Sequence, residues 1–278
     1  MNQYSLFTLE LLSDFLNNHE CDIEKKDIES ITKLGFSEEY AFALLLCTMY
    51  GIDTEKNREW FYEYLLASIK MLDVKEYSEN PYYKNIFIKN KISNKWNLKH
   101  TSYKAYEGFV YDDMYSKDEK VLFNIGFFKE KFDFPAIYEK DRLWMSISPN
   151  EINTMKESIN NAFGNVLVLG MGLGYYPYMI SLKENVKSIR VVDVSKDALD
   201  IFEECIYPQF SRKIVKLINI DAFEYLENID SDIDYVFCDL WHDASDGKDL
   251  YLKLKKFEEK YKNIKFDYWI EKTIKYYL

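Results

Sequence analysis

The chain has 278 residues, 17 % of them aromatic, and 36 Lys and Arg against 47 Asp and Glu leave a formal net charge of −11. That length accommodates roughly two domains and a substantial core, while the acidity argues against a broad nucleic-acid footprint or an anionic membrane surface, both of which want clustered Lys and Arg. The longest strongly apolar stretch, Tyr40–Ile52, is too short to span a bilayer, and no basic segment followed by an apolar core opens the chain. Cys21, Cys47, Cys205 and Cys238 are scattered without a C-x-x-C, and three histidines are too few and too dispersed for a zinc site. The expectation is a cytoplasmic protein with reduced cysteines, no metal and no membrane contact.

Residues 1–97 read as a helical N-terminal domain. Apolar residues recur at helical spacing over Tyr4–Leu16, Ser37 suits the cap of a helix running to Gly51, and a third helix is expected over Glu55–Leu72. Pro81 and the Asn- and Lys-rich stretch Lys89–Asn97 mark a boundary. Residues 98–147 change to β-branched and aromatic runs, Val121–Phe128, Phe134–Tyr138 and Leu143–Ile147, with a hairpin turn at Glu139–Asp141; they predict one small antiparallel β segment. Residues 148–278 begin with Ser148-Pro149-Asn150-Glu151, read as N-cap, first-turn proline and reciprocal capping-box acid of a helix reaching Ala162.

Then comes Asn165–Tyr178, NVLVLGMGLGYYPY. Val166–Leu169 is a continuous apolar run, as in a parallel strand covered on both faces. Gly170, Gly172 and Gly174 follow at alternate positions, where a glycine loop lets a ligand approach the backbone and the adjacent helix start can receive polar groups. The spacing is G-x-G-x-G, with Tyr175 where a dinucleotide fingerprint needs its last glycine. Beyond it strands and helices alternate: strands at Ser188–Val194, Val215–Ile220 and Tyr235–Asp239, helices at Pro177–Glu184, Lys196–Glu204 capped by Ser195, Ala222–Asn228 and Leu250–Tyr261. The tail, Lys265–Leu278, has room for one strand and a short helix. Alternation of this kind predicts a parallel sheet.

Three acids fall at or near strand ends, where open parallel sheets bind ligands. Asp193, 23 positions after Gly170, suits a ribose diol, since a carboxylate accepts two hydroxyl hydrogen bonds. Asp221, in Asn219-Ile220-Asp221-Ala222-Phe223, can face adenine, but with Glu224 it also makes an Asp-x-x-Glu helix cap. Asp239 opens the polar, aromatic loop Leu240-Trp241-His242-Asp243, where an acid can orient a nucleophile or take its proton; His242 and Asp243 read equally well as parts of the next helix's cap.

The ordered set of glycine loop, Asp193, Asp221-Ala222-Phe223 and Asp239 resembles the class I S-adenosylmethionine-dependent methyltransferase superfamily, in its spermidine-synthase-like branch, over roughly Leu143–Tyr261. The resemblance implies a Rossmann-like, doubly wound, mostly parallel α/β sheet, shortened C-terminally and preceded by the helical region and the β segment. It implies S-adenosyl-L-methionine as cofactor, contacted by Gly170, Met171, Gly172, Gly174 and Tyr175, by Asp193 and Val194, by Asp221, Ala222 and Phe223, and by Asp239, which is also the candidate catalytic residue. The chain departs from spermidine synthases in Leu173, where they carry an acid, in the Asp239-to-Asp243 spacing, one residue longer than their D-x-x-D, and in Leu143–Ile147, which replaces a gate rich in Gln and acids. The leading expectation is therefore methyl transfer to a small-molecule acceptor. The alternatives are aminopropyl transfer, a nucleotide-fold binding protein without turnover and, least supported by the glycine spacing, a nicotinamide oxidoreductase. The aromatic-rich first 140 residues leave room for a homodimer surface.

Overall fold

Val166, Leu167, Val168 and Leu169 are all at most 1 % exposed, as a strand must be when both faces of its sheet are covered. They belong to β1 (Gly164–Leu169), the middle of a five-stranded sheet with β2 (Val186–Asp193), β3 (Val215–Asn219), β4 (Tyr235–Cys238) and β5 (Lys265–Tyr268). The order is β3-β2-β1-β4-β5 and every pairing is parallel. Helices α1 (Tyr175–Ser181), α2 (Lys196–Ile201), α3 (Ala222–Glu227), α4 (Ala244–Lys260) and α5 (Glu271–Tyr276) alternate with the strands and follow the last one. The chain is thus a mixed α/β protein with a parallel sheet. Leu169 pairs with Val192 and with Cys238, so β1, β2 and β4 end at one level. The strand order reverses between β1 and β4, which is where open parallel sheets leave a crevice.

The computed structural model describes all residues except 18–22, 94–95 and 141. Cys21, the last residue of the expected Glu139–Asp141 turn and two residues of the Lys89–Asn97 stretch lie outside the described residues. The chain forms two units, residues 1–77 with 102–133 and residues 78–101 with 134–278. Among the described residues no helix is long and apolar enough to cross a membrane.

In the first unit, helices Gln3–Asn17 and Glu38–Met49 follow the predicted periodicity, and the Ser37 side chain accepts from the Tyr40 N–H as its cap. Trp60, Phe42, Phe61 and Phe127 are buried in the core; the Phe42 and Phe127 rings stack at 4.6 Å, and the Trp60 indole donates to Thr8 Oγ1 at 2.9 Å. The helix expected over Glu55–Leu72 is shorter: it starts at Arg58, widens and tightens through Ser68, and gives way to a strand at Ile69–Leu72. That strand pairs in parallel with Ile125–Phe128, and the pairing outweighs the local helical pattern. The run Val121–Phe128 is likewise not one strand. Lys120–Leu122 pairs with Tyr115–Lys117, while Ile125–Phe128 joins a different sheet. The break falls where the Phe123 N–H bonds to Ser68 Oγ and the Asn124 carbonyl accepts from Tyr111.

The second unit carries most of a four-stranded sheet, in the order Lys91–Ser93, Trp96–Tyr103, Phe132–Glu139, Arg142–Ser146. The predicted single antiparallel segment is therefore distributed over three sheets. Residues 148–162 also differ from expectation: two short helices, Pro149–Thr154 and Lys156–Asn161, meet at Met155. The predicted capping box is not formed, because Ser148 makes no side-chain cap bond and Glu151 faces a cavity instead. Conversely α4 begins six residues earlier than predicted, at Ala244, because Asp243 and Asp246 make a reciprocal capping box there.

The three loop glycines all have left-handed φ, but a Cβ would meet different things at each. At Gly174 (φ +73°) it would lie 2.5 Å from the Phe202 ring, and at Gly172 (φ +52°) it would meet nothing within 4 Å. Gly174→Ala is expected to cost about 2–5 kcal/mol, from overpacking plus left-handed strain, and Gly172→Ala only about 1–2 kcal/mol, from strain alone. Urea denaturation of the two variants checks the difference.

Candidate functional site

Above the ends of β1, β2 and β4 lies a cavity of about 580 Å³, within the range of small-molecule sites. Its floor is the glycine loop. Gly170 (φ +97°) has no room for a side chain, because a Cβ would fall 1.9 Å from the Asp239 main-chain oxygen. The Gly174 N–H closes the turn on the Met171 carbonyl at 3.0 Å. From the same unit, residues 80–82 hold the loop from outside: Tyr82 OH donates to the Leu173 carbonyl at 2.6 Å, and Asn80 Nδ2 donates to Tyr175 OH at 2.9 Å. Tyr82 is 1 % exposed, so its hydroxyl needs that acceptor.

Asp193 ends β2 and ties the second strand to the loop. Its Oδ2 accepts from the Met171 N–H at 2.8 Å and its Oδ1 from the Ser195 N–H at 2.7 Å. Each oxygen keeps a second lone pair for a ligand hydroxyl. Asn219 Nδ2 braces the strand end by donating to the carbonyls of Asp193 and Val194 at 2.9 and 3.0 Å. Val194, which lines the cavity, is 75 % exposed, an apolar surface open to a flat partner. Asp221 caps α3 through Oδ1 alone, accepting from the N–H groups of Phe223 and Glu224, so Oδ2 is spared.

Of the residues singled out in the sequence, Gly170, Met171, Gly172, Tyr175, Asp193, Val194, Asp221, Ala222, Phe223 and Asp239 all line this one cavity. Gly174 does not; it serves packing against Phe202. His242 lines the rim, its ring 6.0 Å from that of Trp144, while Asp243 is consumed as the cap of α4, accepting from the N–H groups of Ser245 and Asp246. Trp241 both packs on Gly247 and lines the cavity.

The local pattern gave Glu151 a capping role only and offered the 98–147 segment as packing or as part of a substrate pocket without naming residues, whereas Glu151 and a wall made by Trp96, Leu143, Trp144, Met145 and Trp269 line the cavity. Glu151 matched a capping acid so well that the alternative had no sequence signal. The wall did have one: a run of large apolar residues, Leu143-Trp144-Met145, in a strand whose Leu143 and Trp144 stay more than a third exposed.

Among the described residues the lining carries five carboxylates, Glu151, Asp193, Asp221, Asp239 and Asp246, and neither Lys nor Arg. Burial, and then the charge of Asp239, push the Glu151 carboxyl well above the usual range. Burial, and then the charge of Asp193, push Asp239 up to about 7. Burial also raises Asp193, against the opposing pull of the Met171 and Ser195 N–H groups. Among the described residues no group of three or more His, Cys, Asp or Glu is placed to hold a metal ion.

No protein-family model and no curated protein matches this chain.

The raised carboxyls have a consequence for stability. Between the ordinary carboxylate range and about pH 7 the folded protein binds more protons at Asp239 than the unfolded chain does, and Glu151 and Asp193 act in the same direction. Unfolding free energy from these groups should therefore fall as pH rises from about 4 through about 7. Asp239→Asn should flatten that decline. Urea denaturation at a series of pH values, wild type against variant, reads it directly.

Proposed function

We propose that this unit is a Rossmann-like domain that binds S-adenosyl-L-methionine and catalyses methyl transfer from it to a small molecule. The observation that carries the reading is the pairing of the glycine loop with Asp193 across the cavity floor. One carboxylate oxygen of Asp193 is fixed by the loop's own Met171 N–H, so the acid and the loop present a single preformed surface. Loop backbone on one side and a strand-end acid on the other suit an adenosine ribose with an amino-acid tail.

The lining fits that cofactor in further respects. Gly172 leaves open space where a side chain would otherwise stand. Val194 offers an exposed apolar face to adenine, and Asp221 Oδ2 is spared for its amino group. The cofactor's sulfonium charge is compatible with a lining whose described residues include five acids and no Lys or Arg. When bound, the cofactor supplies a methyl carbon already activated for in-line attack. The protein's part is then to align the acceptor, exclude water and take a proton. Asp239 is the candidate for the last role: its carboxyl, raised to about 7, is balanced between the two protonation states near neutral pH.

Calorimetry tests the reading. S-adenosylmethionine and its demethylated product should both bind with a Kd of about 1–100 μM, within the range of ordinary small-molecule affinities. Asp193→Ala should weaken binding by about ten-fold or more, since it removes both the ribose acceptor and the anchor of the Met171 N–H. No heat from either compound at concentrations up to about 1 mM would overturn the assignment.

A further inference from the structure

We propose that the acceptor is a monoamine carried on a flat apolar body, its nitrogen held by Glu151 and Asp239 and its body against the Trp96, Trp144 and Met145 wall. This rests on the methyl-transfer reading above, and it narrows that reading to one class of substrate.

The first ground is the assignment of each carboxylate. Asp246 sits in the α4 capping box, where its Oδ1 accepts from the N–H groups of both His242 and Asp243 and its Oδ2 is also in reach of the His242 N–H. Asp193 and Asp221 hold backbone N–H groups and belong to the cofactor side. Glu151 and Asp239 are left, and neither makes a side-chain hydrogen bond or ion pair with another described residue. The charge of Asp239 is felt at Glu151. Two carboxylates lining one cavity, with no Lys or Arg among the described residues of the lining, are a poor place for a phosphate or a carboxylate and a good one for an ammonium group.

The second ground is the remainder of the wall. Trp96, Leu143, Trp144, Met145 and Trp269 contribute no carboxylate. A second ammonium on a polyamine would therefore lack an anionic partner there, whereas indole faces suit a flat ring. The third is Trp241. It is 6 % exposed and lines the same cavity, and its Nε1–H meets no acceptor among the described residues. A buried donor left so is matched by a ligand that brings an acceptor, such as a ring nitrogen or an oxygen on the amine's body.

In the step itself the entering ammonium loses one proton to the Glu151–Asp239 pair. The freed nitrogen lone pair forms the new N–C bond to the methyl group while the C–S bond breaks and its electrons pass to sulfur. The proton held by the pair is then given up to water, so each turnover releases one proton and one neutral thioether.

The experiment offers protein shown by calorimetry to be loaded with methyl-labelled S-adenosylmethionine a panel of probes. Phenethylamine, tryptamine, histamine and 4-(aminomethyl)pyridine are set against 2-phenylethanol, 3-phenylpropanoate and putrescine. At least one of the aromatic amines should accept label with a kcat/KM about ten-fold or more above the alcohol, the acid and putrescine. Glu151→Gln should lower it about ten-fold or more, mostly through KM, with cofactor affinity unchanged. Label on the alcohol, the acid or putrescine at an equal or greater rate would overturn the proposal. So would an unaltered kcat/KM in Glu151→Gln, or neither transfer to nor binding of any amine in the panel by cofactor-loaded protein. Failure of the cofactor itself to bind would instead strike the functional reading above.

Discussion

The site depends on one close approach. The backbone at Gly170, leaving β1, passes so near the Asp239 carbonyl that any side chain would collide with it, and the Asp239 N–H donates to the Leu169 carbonyl at 2.9 Å. Those two contacts extend the β1–β4 pairing one residue past the sheet. They place the Asp239 carboxylate beside the loop instead of out in solvent. Asp193 joins β2 to the same loop through Met171, and Tyr82 and Asn80 close it from the outside. The loop is therefore fixed from three directions by interactions that use backbone more than side chains, a form of preorganisation that substitution elsewhere in the loop does not easily remove.

Such a site is built at the expense of stability. Glu151, Asp193 and Asp239 are gathered where burial disfavours their charged forms, and no Lys or Arg among the described residues of the lining offsets them. An apolar residue at 151 would not carry that penalty. Conflicts between local stability and side-chain choice of this kind concentrate at functional positions. The same reasoning separates Glu151 from Asp246, whose carboxylate is engaged in capping α4 and whose presence the local sequence explains.

What could be read from the sequence follows the range of the interactions involved. The parallel strands and the glycine loop were legible because a buried apolar run, a glycine spacing and a following helix are all local signals. So were Asp193 and Asp239, since a strand's end fixes where its terminal acid lies. Glu151 was misread because Ser148-Pro149-Asn150-Glu151 satisfies a local rule that the tertiary structure does not use: Ser148 caps nothing, while Tyr83 OH donates to the adjacent Ile147 carbonyl. Trp96 reaches the cavity from more than seventy positions before the loop, and Asn80 and Tyr82 reach the loop itself from further still; no periodicity reports contacts of that separation. Gly174 shows a spacing with a packing use. Its spacing is that of a ligand-facing glycine, yet what excludes a side chain there is Phe202.

The displacement of one acid ties these points together. In the resemblance on which the functional reading rests, the loop after the fourth strand brings two acids to the acceptor. Here the second of that pair would be Asp243, which does not line the cavity: Ser245 N–H, Ser245 Oγ–H and Asp246 N–H all donate to its Oδ1 as it caps α4, and those bonds hold its carboxyl below the ordinary range. Glu151, on the helix that begins at Pro149 before β1, lines the same cavity as Asp239 and supplies a second carboxylate there from a different element. On the proposal above, the acceptor nitrogen is held by that pair, with the indoles of Trp96 and Trp144 along the rest of its body.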